Sequence, residues 1–309
     1  MTIEHARAQL QAKPWGVKPG AVPWSVAALR PFSGAKRDDR PIGEIWFERP
    51  SETAVASALL LKLLFTSQPL SIQVHPNDSY AQSIGLPNGK TEAWYVLSAT
   101  PEAKVALGLK RSLTPLQLEQ AIDDGSIADL VVWRTVHPGD TIFVPAGTIH
   151  AIGEGLVIAE IQQRSDATFR IFDYGRGREL HIDKAIAVSI AGPADAQLMP
   201  RRLTDARTLL TCNPYFTFEK IHLPPGSAWH LHAQQETWLL MIAGGGNAGS
   251  FDVVAGDVIF AESDRVRIVA GAAGLTGLMA TTDRSPIRDM LEHAAPDLVP
   301  AGGPMEPVQ

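Results

Sequence analysis

Short apolar runs, broken at close intervals by Gly, Pro, Asn or Asp, leave this chain few ways to fold. "TAVASALLLKLLF", "PLSIQVHP", "TEAWYVLS", "KVALGL", "TIFVPAG", "LVIAEIQQ" and "FRIFDYG" are short and rich in Val, Ile, Leu and aromatics, as strands are. A second block repeats the pattern with "FTFEKIHL", "ETWLLMIAG", "SFDVVAGDVIFA", "VRIVAG" and "LTGLMATT". One helical insertion interrupts the strands at about 112–132, where Thr114 can cap, Pro115 suits the first helical position and Gly125 closes the first segment. "DKAIAVSIAG", from about residue 183, predicts a second helix leading out of the first block. Pro87-Asn88-Gly89 before "KTEAWYVL" predicts a tight turn between antiparallel partners. The expected class is all-β.

The two blocks echo each other. "VHPGDTIFVPAG" (136–147) and "VVAGDVIFAESD" (253–264) share Gly-Asp-x-Ile-Phe at a strand start, which predicts two related β-barrels in tandem. The expected division is 1–195 for the first barrel with its insertion, 196–290 for the second, and a loosely ordered Pro/Gly-rich tail over 291–309.

A chain of 309 residues, 45% hydrophobic and 19% charged, has the composition of a globular protein with a large core. A formal net charge of −6 argues against broad binding of nucleic acid or an anionic membrane, and leaves small anions to local basic clusters. A single cysteine, Cys212, excludes an internal disulfide and fits a reducing compartment. "MTIEHARAQLQAKP" lacks the apolar core of a signal peptide, and "AVASALLLKLLF" is short for a membrane span and carries Lys62. The expected setting is cytoplasmic.

Chemistry concentrates in the first block. In "QVHPND", Gln73 and His75 stand two apart, so an extended chain turns both to one face while Ile72 and Val74 take the other. "GKTEAW" adds Glu92. "PGDTIFVPAGTIHAIG" sets Gly139, Pro145-x-Gly147 and His150 in the spacing of the second cupin motif, in which the histidine faces the barrel interior. Taken singly, His75 reads as a surface or hydrogen-bonded histidine, Gln73 as an uncommon ligand type, and Glu92 as a partner for Lys90. Together, two imidazoles, a carboxylate and an amide oxygen suit a borderline divalent ion such as zinc.

"IGEIWF", "QPLSIQVHPND", "GKTEAWYVL" and "VPAGTIHAIGEGLVIAEIQQRSDATFRIFDYGR" resemble the type I mannose-6-phosphate isomerases, closely over about 41–181 and more loosely beyond. That resemblance implies tandem cupin (double-stranded β-helix) barrels and a zinc enzyme interconverting mannose 6-phosphate and fructose 6-phosphate. It implies Gln73, His75, Glu92 and His150 as ligands to one zinc per chain, and Lys90 and Arg170 as active-site residues. The chain is similar to the short bacterial members; "IGEIWFERP" departs from them in lacking the histidine-containing continuation after the tryptophan.

The isomerisation moves a proton between neighbouring carbons through an enediol or enediolate, so it needs a base and a cation near the oxygens. Glu160, Glu44 and Lys90 are the candidate bases. Lys62, alone in "ALLLKLLF", needs a buried partner and is expected behind the metal site, toward substrate. Arg170 lies among Phe169, Ile171 and Phe172, so it is expected to be buried and to need an anion such as the substrate phosphate or the enediolate. Arg164, Arg176 and Arg178 read as ordinary salt-bridge residues, any of which could reach the phosphate.

In the second block, His230, His232 and Glu236 mimic a first cupin motif, but Arg267 stands where His150 stands in the first. A second metal is not expected there, and Arg267 is a candidate partner for Glu236. "AGGG" (243–246) reads as a turn and Cys212 as a buried structural thiol. The partner implied is a small sugar phosphate, with no nucleic acid or membrane; oligomeric state stays open. The alternatives are an isomerase of a related sugar phosphate and a non-catalytic sugar-phosphate-binding cupin.

Overall fold

Every residue of the segment Leu59–Thr66 is buried, so its sheet must be covered on both faces. That requirement organises the molecule. The structure is a computed structural model, and it describes residues 2–17, 41–49 and 56–294.

The first half runs β1 (Thr2–His5), β2 (Arg7–Val17), β3 (Ile42–Glu48), β4 (Leu59–Thr66) and β5 (Ile72–Val74). There follow α1 (Asp78–Ser83), β6 (Glu92–Ala99), β7 (Lys104–Leu109), α2 (Pro115–Asp123) and α3 (Ile127–Leu130). β8 (Val131–Thr135), β9 (Thr141–Val144), β10 (His150–Ile152), β11 (Leu156–Gln163), β12 (Phe169–Phe172) and α4 (Ile182–Val188) complete it. The second half is all strand: β13 (Arg201–Arg202), β14 (Arg207–Cys212), β15 (Thr217–Leu223), β16 (Ala228–Ala233) and β17 (Thr237–Ala248). Then come β18 (Phe251–Val254), β19 (Val258–Glu262), β20 (Asp264–Thr281) and β21 (Leu291–His293).

Three sheets result among the described residues. A six-stranded sheet has the order β2-β3-β4-β11-β6-β9, and a five-stranded sheet the order β12-β5-β10-β7-β8. They face each other across a core of Leu64, Trp94, Val105, Leu107, Ile152 and Ile158. The other side of the six-stranded sheet (Ile45, Leu61, Ala159) packs on Phe218, Trp238 and Phe260 of the ten-stranded second-half sheet. Helices cover the outside of the five-stranded sheet through Leu118, Ile122, Ile127 and Ala185. α2 carries a reciprocal Thr114/Gln117 capping box with Pro at its start.

The class is all-β, yet the sheets do not close into barrels. β1 crosses from the N-terminus into the ten-stranded sheet, pairing Thr2 with Glu262 and His5 with Ile259, before Ala6 turns the chain into β2. The Pro87-Asn88-Gly89 turn does not join paired strands. α1 intervenes, β5 pairs with β10 and β12, and β6 pairs with β9 and β11. Residues 243–246 lie within β17 and not in a turn. Its register shifts there, and a Cβ on Gly244 would stand 2.0 Å from the Gly274 carbonyl, so glycine is required by close approach. Cys212 is half-buried, its Sγ 3.0 Å from the Arg284 carbonyl. Of the expected tail, Leu291–His293 forms β21 and 295–309 lies outside the described residues. Among the described residues no helix is long and apolar enough to cross a membrane.

Candidate active site

Strand parity builds the site. In the six-stranded sheet Leu59, Leu61, Leu63 and Phe65 of β4 face the second half, so Lys62 must face the first-half interior. The same alternation sends Glu44 and Trp46 of β3, Glu160 of β11, and Glu92 and Trp94 of β6 to that inner face. Cross-strand pairing then aligns Trp46, Lys62, Glu160 and Trp94 in one row. Across the gap, Ile72, Val74 and Ala151 pack under the helices, which turns Gln73, His75 and His150 inward. There Arg170, Gln73 and His150 form the facing row.

The two rows meet at Glu92. Its Oε2 lies 3.5 Å from His75 Nε2 and its Oε1 3.4 Å from His150 Nε2. Each imidazole is oriented from behind, with His75 Nδ1 2.8 Å from the Ala167 carbonyl and His150 Nδ1 2.9 Å from the Thr148 carbonyl. With Nδ1–H donated, both Nε2 lone pairs point at the carboxylate. His75 Nε2 is buried without a hydrogen-bond partner, as an atom meant for a cation would be, and Glu92 Oε2 faces the Lys90 ammonium. Among the described residues, His75, Glu92 and His150 are the group able to hold a metal, with ligand atoms within 4.8 Å of one another. Gln73 joins them, its Nε2 donating to His150 Nε2 at 3.3 Å while Oε1 accepts from Ser71 Oγ. Half a turn of the amide would present the oxygen instead.

The protonation states match that use. Burial, seconded by the Lys90 charge, depresses His75 to about 3, and burial lowers His150 as well. Burial works against the Glu92 anion, but Lys90 and the histidines hold its carboxyl well below the usual range. A divalent ion needs neutral imidazoles and an ionised carboxylate, and these shifts favour both.

Beside this group runs a cleft of about 240 Å³. Lys90 Nζ stands 3.0 Å from Glu92 and 4.0 Å from Glu160, and Lys62 Nζ stands 3.6 Å from Glu160 and 4.5 Å over the Trp46 ring. Burial lowers Lys62, whereas the anions Glu92 and Glu160 raise Lys90 against its own burial. Burial and the Glu92 charge together lift Glu160 to about 7.

Arg170 departs from the expectation of burial. Phe169 and Ile171 are buried, but the alternation turns Arg170 to the half-exposed cleft side. Its Nη1 donates to the Glu179 carbonyl at 2.7 Å and its Nε has no hydrogen-bond partner. Asp173 takes Arg176 at 2.8 Å and also Arg178, so two guanidinium groups share one carboxylate. Arg164 is a junction residue held by Ser57 and Glu48. Glu44 receives the Trp46 indole N–H at 2.6 Å and stands 3.8 Å from Lys13 Nζ.

The sequence reading passed over Trp15, Lys13, Ser71 and Trp94. Trp15 lines the cleft, with Arg178 5.0 Å over its ring, and Trp94 donates its indole N–H to Glu92 Oε1 at 3.1 Å. Lys13 and Trp15 stand two apart, the same signal that drew attention to Gln73 and His75. In the second half, His232 pairs with Glu292 at 3.0 Å, and Glu236 is held by the Ala58 and Leu59 amides and the Trp238 indole.

Comparison with known proteins follows the same lines. No protein-family model matches the chain. It is 40% identical over 170 residues to the mannose-6-phosphate isomerase of Streptococcus mutans, covering 52% of this chain and 54% of that protein. It is 42% identical over 137 residues to the mannose-6-phosphate isomerase ManA of Bacillus subtilis, covering 42% and 43%. The chain thus aligns with about half the length of these curated relatives. The fold is that of the mannose 6-phosphate isomerase crystal structure from Bacillus subtilis, with a TM-score of 0.74 and 24% identity over 91% of this chain and 99% of that one. A variant of the phosphomannose isomerase from Salmonella typhimurium has a TM-score of 0.70 at 15% identity over 91% and 100%.

Proposed function

We propose that the chain is a metal-dependent aldose–ketose isomerase that interconverts mannose 6-phosphate and fructose 6-phosphate. Zinc, one ion per chain, would be held by His75, Glu92, His150 and Gln73. One observation carries the reading: two neutral imidazoles and an ionised carboxylate converge beside Glu160, a carboxyl lifted to about 7. A bound divalent cation supplies electrophilic stabilisation of the developing enediolate. The chain's own residues do the rest. Arg170, with its free Nε, and Arg178 at the cleft mouth suit a phosphate dianion. With the phosphate there, the sugar carbons lie toward Glu160. A base with a pKa near the working pH removes and returns a proton with little cost either way. Lys62 and Lys90 donate to the sugar oxygens and steady the charge on Glu160. The buried walls exclude water from the intermediate. A cytoplasmic setting accompanies this reading.

A protein that merely held a sugar phosphate would have no use for a carboxyl so placed between two lysines. A coupled assay on zinc-loaded and exhaustively chelated protein, with mannose 6-phosphate set against other hexose phosphates, decides the matter. Zinc-dependent turnover of mannose 6-phosphate is expected. Faster turnover of another hexose phosphate would reassign the substrate, binding without turnover would make the protein a carrier, and a full rate after verified metal loss would remove the metal.

A further inference from the structure

The Glu-x-Trp step, with the indole donating to the carboxylate, occurs three times among the described residues: at Glu44 and Trp46 on the cleft, at Glu92 and Trp94, and once in the second half. Trp94 Nε1 donates to Glu92 Oε1 at 3.1 Å, and Trp238 Nε1 donates to Glu236 Oε1 at 2.9 Å, with both indoles fully buried. The carboxylates nevertheless face different groups. Against the shared Gly-Asp-x-Ile-Phe strand, Glu92 stands opposite Val144, whereas Thr237, not Glu236, stands opposite the corresponding Ala261. The slip is one residue, and with a side-chain period of two it turns Glu236 to the opposite face. There it meets the first half. Its Oε2 accepts the Ala58 N–H at 2.6 Å and its Oε1 the Leu59 N–H at 2.9 Å. A buried carboxylate gripping two consecutive amides makes charge-assisted bonds, stronger than those of a neutral acceptor.

Those amides are not an arbitrary anchor. The Ala58 carbonyl accepts the Arg164 N–H at 2.8 Å, and Leu59 is the register partner of Gln163. Gln163 exchanges bonds with Thr91, the neighbour of Glu92: its N–H donates to the Thr91 carbonyl, and its Oε1 accepts the Thr91 N–H. Gln162 Nε2 donates to the Ser165 carbonyl, which steadies the same segment. Two residues further, the Ala167 carbonyl is the group that orients His75. The backbone over 163–167 is therefore tied at one end to the Glu236 clamp and supports a candidate ligand at the other.

We propose that Glu236 is a positioning residue for the metal centre. By clamping the Ala58 and Leu59 amides, it fixes the 163–167 segment whose Ala167 carbonyl aims His75. The second-half copy of the Glu-x-Trp step thus serves the copy that carries a candidate ligand. The proposal rests on reading His75, Glu92 and His150 as a metal site.

Two measurements test it. In the unaltered protein, zinc binding should slow hydrogen exchange at the Ala58 and Leu59 amides, because coupling between two sites is reciprocal. Glu236→Gln, which keeps the size and one acceptor, should weaken zinc binding about 10-fold in chelator competition and shift the visible bands of the cobalt-substituted protein. Arg49→Met is the control. It cuts the Arg49–Glu262 contact of 3.3 Å at the same junction, so it should lower stability and leave metal affinity and cobalt bands unchanged. Unchanged affinity and bands in Glu236→Gln overturn the proposal, as does an Arg49→Met variant with equal metal loss. Should Glu236→Gln not fold, the exchange experiment decides, and amides indifferent to zinc overturn it. An unaltered protein that binds neither zinc nor cobalt overturns the metal reading itself, which is a distinct result.

Discussion

Glu160→Gln should cost activity and return stability, by amounts that follow from the burial of one carboxyl. Glu160 is 3% exposed between Lys62 at 3.6 Å and Lys90 at 4.0 Å. At an effective dielectric of about 20, the nearer lysine alone attracts it by about 5 kcal/mol. Burial and the Glu92 anion still win, since the carboxyl is lifted from 4.5 to about 7. A folded-state pKa above the unfolded one means stability that is complete below pH 4.5 and is lost as pH rises through about 7. At about 1.4 kcal/mol per pH unit, that loss totals about 3 kcal/mol in the metal-free protein. Glutamine has the shape of the carboxyl and cannot ionise, so the variant escapes it. Urea unfolding of chelated wild type and Glu160→Gln should give a stability difference that moves in the variant's favour by about 3 kcal/mol between pH 4.5 and pH 8. Turnover of the zinc-loaded variant should meanwhile fall by about 10²–10⁴ if the carboxyl is the base. A difference that stays flat with pH, or that moves toward wild type as pH rises, would show that the lysines outweigh burial and would refute the reasoning.

Two other perturbations probe the ends of the cleft. Arg170→Lys keeps the charge but loses the forked donor, so KM for the sugar phosphate should rise roughly 10–100-fold with a smaller change in kcat; an unchanged KM would hand the phosphate to Arg178. Trp94→Phe removes the indole donor from Glu92 and should weaken zinc about 10-fold in chelator competition, with about 1–3 kcal/mol lost in unfolding experiments. Wild-type affinity in that variant would leave Trp94 a packing role only.

What the sequence made legible was local. Thr114, Pro115 and Gly125 announce a helix because capping is decided within a few residues, and α2 starts where they say. His75, Glu92 and His150 were singled out by spacing, and the fold brings them together. What stayed hidden depends on pairing partners far apart in the chain. Pro87-Asn88-Gly89 carries a sound turn signal, but no local feature says that β5 will pair with β10 and β12. Arg170 seemed buried because its neighbours are apolar, whereas strand alternation separates it from them. The row Trp46–Lys62–Glu160–Trp94 needs three registers at once, and the direction of Glu236 hangs on a single-residue slip.

The crossing of β1 into the far sheet has a consequence for synthesis. Thr2–His5 is synthesised well before its partners, Ile259–Glu262, which emerge only after the long stretch between them. At ~5–20 residues per second, the strand waits roughly 10–50 s for them. Through that interval its backbone edge is unpaired, and the outer face of β4 and β11 has no second-half sheet to cover it. Until the second half arrives, the nascent first half exposes an apolar face and an open strand edge.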